Sequence, residues 1–170
     1  LKLLVVRRDI CRQKSEAVLP SSKPNIREIL WQSMQLRNVE SRLVEGKIRL
    51  SGEILVSILY NDEEEGEHLS WYETTVPLDA QAECGVMEDD CIWQVQMVPL
   101  TMELEVKPDY DGEERILVME LALDTHIRIW KEEKEKRSVT ALYTEFSVRL
   151  LESKKKRRCI IIYMHRLPQW

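Results

Sequence analysis

Two stretches of this chain alternate apolar and polar side chains with a period of two. Ile48, Leu50, Ile54, Val56, Ile58 and Tyr60 share one parity, while Arg49, Ser51, Glu53 and Ser57 hold the other. Leu117, Met119, Leu121, Leu123, Ile127 and Ile129 repeat the pattern further on. Successive side chains of a strand point to opposite faces, so each stretch predicts a long strand with one buried side. Such strands bury their apolar faces against each other, and the expected fold is a mainly all-β, antiparallel sandwich. Their length predicts that they bend from one sheet into the other.

Punctuation around these runs supports the reading. Glu45-Gly46 predicts a hairpin turn ahead of the first, and Pro108 to Gly112 predicts one ahead of the second. Gly52 falls on the apolar parity without a side chain, which predicts a bulge or bend there. An acidic loop, Asn61 to Glu67, leads to a returning strand over 69–78. Trp93, Val95 and Met97 alternate up to Pro99, and Leu100, Met102, Leu104 and Val106 resume on the opposite parity, the one-residue slip of a β-bulge. The charged loop Lys131 to Arg137 predicts another return over 139–150. One helix is expected near residues 24–34. Ile26, Ile29, Leu30 and Met34 follow helical spacing behind Pro24 and Asn25. A shift of 69 positions lays Ile48 on Leu117 and Tyr60 on Ile129, as an internal duplication would, or as any two strands of matching parity would.

At 170 residues the chain suits one domain or two small fused units, and its start without a Met reads as a piece of a longer protein. The divisions expected are a lead-in strand over 1–18, a β domain over 19–150 with half-repeats 36–80 and 91–150, and a basic turn with a terminal segment over 151–170. A net charge of −5 argues against a generic nucleic-acid binder. No apolar run is long enough to predict a membrane span. Cys11, Cys84, Cys91 and Cys159 form no CxxC pair and read as reduced thiols, with a Cys84–Cys91 bridge as the alternative.

Nothing in the chain resembles catalytic apparatus, and no enzyme activity or cofactor is expected. His68, His126 and His165 each lack the spaced partners of a metal site. Five glycines build no phosphate loop. Asp109-x-Asp111-Gly112-x-Glu114 is too short for a calcium loop and reads as a turn. Lys154 to Arg158 reads as a solvated basic turn before a last strand. The residues expected to meet a partner are Trp71 and Tyr72, one of which must face outward, and the acidic run Glu63, Glu64 and Glu65. A sugar-stacking platform at Trp71, Tyr72 or Trp93 is the alternative use of these aromatics.

Several segments carry a joint signal: Leu19-Pro20, Lys23-Pro24-Asn25-Ile26 with Ile29-Leu30, and Val44-Glu45-Gly46-Lys47-Ile48. Gly52-Glu53, Ile58-Leu59-Tyr60 and Asp111-Gly112-Glu113-Glu114-Arg115 follow. Taken in order they resemble the SPOCS domain, a family described from spore-coat morphogenesis proteins of endospore-forming Firmicutes and often found beside a LysM module. The likeness departs from the family at Ala141-Leu142-Tyr143, and nothing beyond Leu151 matches it. The resemblance brings no catalytic residues. It implies a scaffold or docking role in spore-coat or spore-envelope assembly, with other morphogenetic proteins as partners, in the mother-cell cytoplasm at the forespore surface. The alternative is a module that binds peptidoglycan or another glycan.

Overall fold

A computed structural model describes residues 1–62, 68–85, 90–132 and, for the backbone, 159–163. These residues form β1 (Lys2–Val18), β2 (Ile26–Val44), β3 (Lys47–Asp62), β4 (Leu69–Glu83), β5 (Cys91–Pro108), β6 (Glu114–Lys131) and β7 (Cys159–Tyr163). One sheet runs β1-β6-β5-β7 and the other β2-β3-β4. All neighbours are antiparallel except β5 and β7, which are parallel.

The two alternating runs are the central parts of β3 and β6, each flanked on both sides within its own sheet. Their apolar parities face each other and form the core. Ile48, Ile54, Ile58, Tyr60, Leu117, Met119, Ile127 and Ile129 have no solvent exposure. The β2–β3 and β5–β6 hairpins hold equivalent places in the two sheets. β1 then sits beside β6 where β4 sits beside β3. The predicted return over 139–150 and the basic block 154–158 lie outside the described residues.

Several expectations need correction. Among the described residues no long strand crosses between sheets, because each stays paired with neighbours of one sheet. The helix near 24–34 is absent, and those residues open β2. Its ladder with β3 shifts register at Ile26/Glu28, Ile29/Trp31 and Arg37/Glu40. Each shift adds a residue, so the inward positions run Ile26, Ile29, Gln32, Met34, Leu36, and two intervals of three imitate a helical period. Gly52 is not itself bulged, since it pairs in register with Leu78. The bulge lies opposite, in β2, and a Cβ on Gly52 would stand 2.9 Å from the Cα of Val39. The slip at Pro99 is present, between Pro99 and Thr101.

Side chains close both flanks of the sandwich. From β1, Arg7 donates to the Glu83 carbonyl and Gln13 to the Pro77 carbonyl of β4. On the other flank Gln32 Nε2 donates to the Met102 carbonyl at 2.9 Å, and Trp93 Nε1 to Ser41 Oγ at 3.0 Å. Groups that an edge strand would otherwise present to another chain are thus engaged at the Pro77, Glu83 and Met102 carbonyls.

Candidate functional site

At one end of the sandwich a single guanidinium gathers the link between β1 and β2. Arg115 donates to Asn25 Oδ1 at 2.7 Å, to the Pro20 carbonyl at 2.6 Å and to the Lys23 carbonyl at 2.8 Å. Leu19 N–H donates to the Arg115 carbonyl at 2.9 Å, extending the β1–β6 ladder by one bond. Tyr60 Oη donates to the Pro24 carbonyl at 3.0 Å, which fixes the far end of β3 to the same link. A planar fork of donors suits several carbonyls converging from one loop, whereas an ammonium would serve them less well. Burial pushes the Tyr60 hydroxyl pKa up, so it stays protonated as this donor.

This node explains residues that look unrelated in the sequence. Leu19-Pro20, Lys23-Pro24-Asn25, Tyr60 and Arg115 meet there. Glu45 and Gly46 take φ of 50° and 75°, the two left-handed residues of a two-residue hairpin turn. Asp109 Oδ1 accepts the N–H groups of Asp111 at 2.9 Å and Glu113 at 3.0 Å. That carboxylate oxygen therefore shapes the turn. These motifs serve the architecture.

One residue before Tyr60, Leu59 points the other way, onto the outer face of β2-β3-β4. Its ladder partners there are Trp31 on β2 and Trp71 on β4. The two indoles lean towards each other and stack, with ring centroids 5.4 Å apart and planes at 23°. Leu30, Leu69 and Trp71 are 48%, 61% and 41% exposed around this row. On one side of it lies the row Glu28–Asn61–Leu69, and on the other Ser33–Ser57–Glu73. Ser57 Oγ donates to Glu73 Oε1 at 2.9 Å, which holds that carboxylate beside the indoles.

Of the residues expected to meet a partner, Trp71 faces outward and Tyr72 inward, where it packs against the core. Glu63, Glu64 and Glu65 lie outside the described residues. Their connection leaves from Asp62 and returns at His68, and Asp62 N–H donates to the His68 carbonyl at 3.2 Å. Trp31 is the partner that sequence reasoning missed. Its outward position follows from the register shift at Ile29/Trp31, which helical spacing conceals.

The outer face of the other sheet is built differently. Arg8 grips Asp124 with two bonds, of 3.0 and 2.7 Å, and His126 Nε2 lies 3.3 Å from the same carboxylate. The Arg8 hydrogen bond is the main cause that holds the Asp124 carboxyl below its usual range. Lys14 pairs with Glu120 at 3.2 Å. His126 thus meets one carboxylate on an open sheet face. Among the described residues no three His, Cys, Asp or Glu side chains are grouped to hold a metal ion. Cys11, Cys84 and Cys91 form no disulfide, and burial raises the pKa of Cys11 and of Cys84.

Comparison with known proteins agrees with the order of motifs. No curated protein and no solved structure is significantly similar to the chain. Residues 25–107 match the family described as SipL, SPOCS domain. That stretch runs from the Asn25 that Arg115 holds, through the aromatic face, to the last residues of β5, and over it the chain is similar to the sporulation-related SPOCS domain family.

Proposed function

We propose that this chain is a non-enzymatic docking module of spore-envelope or spore-coat assembly, working through the outer face of β2-β3-β4. The observation that carries this reading is the Trp31–Leu59–Trp71 row, a contiguous apolar strip on an outer sheet face. Large exposed aromatics grouped with aliphatic side chains are the usual make-up of a protein contact. The SPOCS match over residues 25–107 directs the reading to sporulation, with other envelope morphogenetic proteins as partners, on the mother-cell side of the forespore surface. The faces serve better than the edges, because side chains bridge the two flanks of the sandwich.

Glycan binding is the weaker reading. A sugar platform needs ring faces turned outward with polar groups converging on them, and here each indole gives one face to the other. The test is affinity purification of the tagged protein from sporulating cells, with Trp71→Ala alongside. Recovery of a spore-envelope protein by the wild type and its loss with the variant is the expected result. Equal recovery by both removes the aromatic face from the account.

A further inference from the structure

The chemistry of the aromatic face also says what kind of segment it receives, an inference that rests on the docking reading above. We infer that this face takes a basic segment of a partner protein, one lysine or arginine side chain lying over the indole pair while a neighbouring aliphatic side chain meets Leu59 and Leu69.

The carboxylates decide the sign. Glu28 lies one row from the indoles on β2, and Glu73 one row away on β4 in the other direction, so a carboxylate flanks the strip on each side. Both are exposed. Glu73 accepts a bond from the Ser57 hydroxyl, a neutral donor, which leaves its charge intact. In sequence, the connection between Asp62 and His68 carries Glu63, Glu64, Glu65 and Glu67. The cations nearby in sequence are Arg27 and, when protonated, His68. Negative charge therefore dominates around two indoles whose π-faces attract cations.

The opposite sheet face shows the contrast. There Arg8 answers Asp124 and Lys14 answers Glu120, and no comparable aromatic pair is present among the described residues. Among the described residues Glu28 and Glu73 beside the indoles have no ion-pair partner, whereas Glu40, Asp79 and Glu83 further along the same sheet pair with Arg42, Arg49 and Lys47. Exposed carboxylates act through screened fields, so they set partner choice and salt dependence more than affinity.

The test titrates the full chain with the peptide Lys-Leu-Lys-Leu-Lys-Leu-Lys and with its counterpart carrying Glu at each Lys position. Calorimetry and tryptophan fluorescence follow binding, and thermal unfolding confirms that each variant is folded. Saturable binding of the basic peptide alone is expected. The double reversal Glu28→Lys with Glu73→Lys should weaken it by about tenfold, a loss that salt reproduces in the wild type. Equal binding of both peptides, no binding of either, or an undiminished response in the double-reversed protein overturns the inference. If the purification from sporulating cells still depends on Trp71 while the basic peptide fails, docking stands and the partner's chemistry is what is wrong.

Discussion

The two outer faces of this sandwich cover one core and both carry cross-strand ion pairs, Arg49–Asp79 and Lys47–Glu83 among them, but they differ at the aromatic row. On β1-β6-β5 the charged side chains answer one another, as Arg8 does with Asp124 and Lys14 with Glu120, and exposed apolar residues such as Val6 and Ile10 alternate with arginines along β1. On β2-β3-β4 the apolar residues are gathered into one row across three strands, with carboxylates on either side of it. Neither face is needed to close the core, which lies between the sheets. The difference therefore concerns what each face leaves unmatched, and the aromatic one leaves both ring surface and negative charge.

If the aromatic face is surplus to folding, the costly substitutions are those in the frame beneath it. Arg115→Ala should be the largest, about 3 kcal/mol, since it removes charged hydrogen bonds to three carbonyls and Asn25 at once. Urea unfolding measures it, and a loss below about 1 kcal/mol would show that the β1–β2 link holds itself. Gly52→Ala comes next, at about 2 kcal/mol, because its methyl group meets the Val39 backbone at 2.9 Å and the bulge must shift. Trp71→Ala should cost only about 1 kcal/mol, the worth of one indole stack at a partly exposed site. A loss as large as that of Arg115→Ala would mean that the aromatic row is structural after all.

Asp124→Asn on the charged face should have the smallest effect at neutral pH, because Arg8 is largely exposed and its attraction is screened. Its pH dependence sharpens the comparison. The folded-state pKa of Asp124 lies below its ordinary value of 3.8, so the ionised carboxylate contributes stability above that pH. The contribution is lost as pH falls through the lower, folded-state value. The gap between wild type and variant should then be full at pH 7 and close in strong acid, as thermal unfolding across pH would show. Trp71→Ala should show no such dependence, since it removes an uncharged indole stack.

The parts legible in the sequence were those with an unbroken period. Ile48 to Tyr60 and Leu117 to Ile129 announce strands because every second residue goes to the core. Glu45-Gly46 and Pro99 announce a turn and a bulge through backbone chemistry alone. β2 was hidden because three register shifts break its parity, and two of them fall where Ile26, Ile29 and Leu30 imitate a helix. That concealment also hid Trp31, while Trp71 was readable from the neighbouring Tyr72 by alternation. The pairing of β1 with β6 joins residues such as Cys11 and Leu123, and no local signal carries that information. Arg115 could not be identified as a node, because its partners are carbonyls, which every residue has.

The central claim is that the outer face of β2-β3-β4, and not that of β1-β6-β5, meets another protein during sporulation. A photo-crosslinking residue placed at position 71 or at position 10 compares the faces directly, since both positions are exposed and lie on opposite sheets. Irradiation of sporulating cells should give a discrete protein adduct from position 71 and none from position 10. Adducts from position 10 alone, or the same adducts from both, would contradict it.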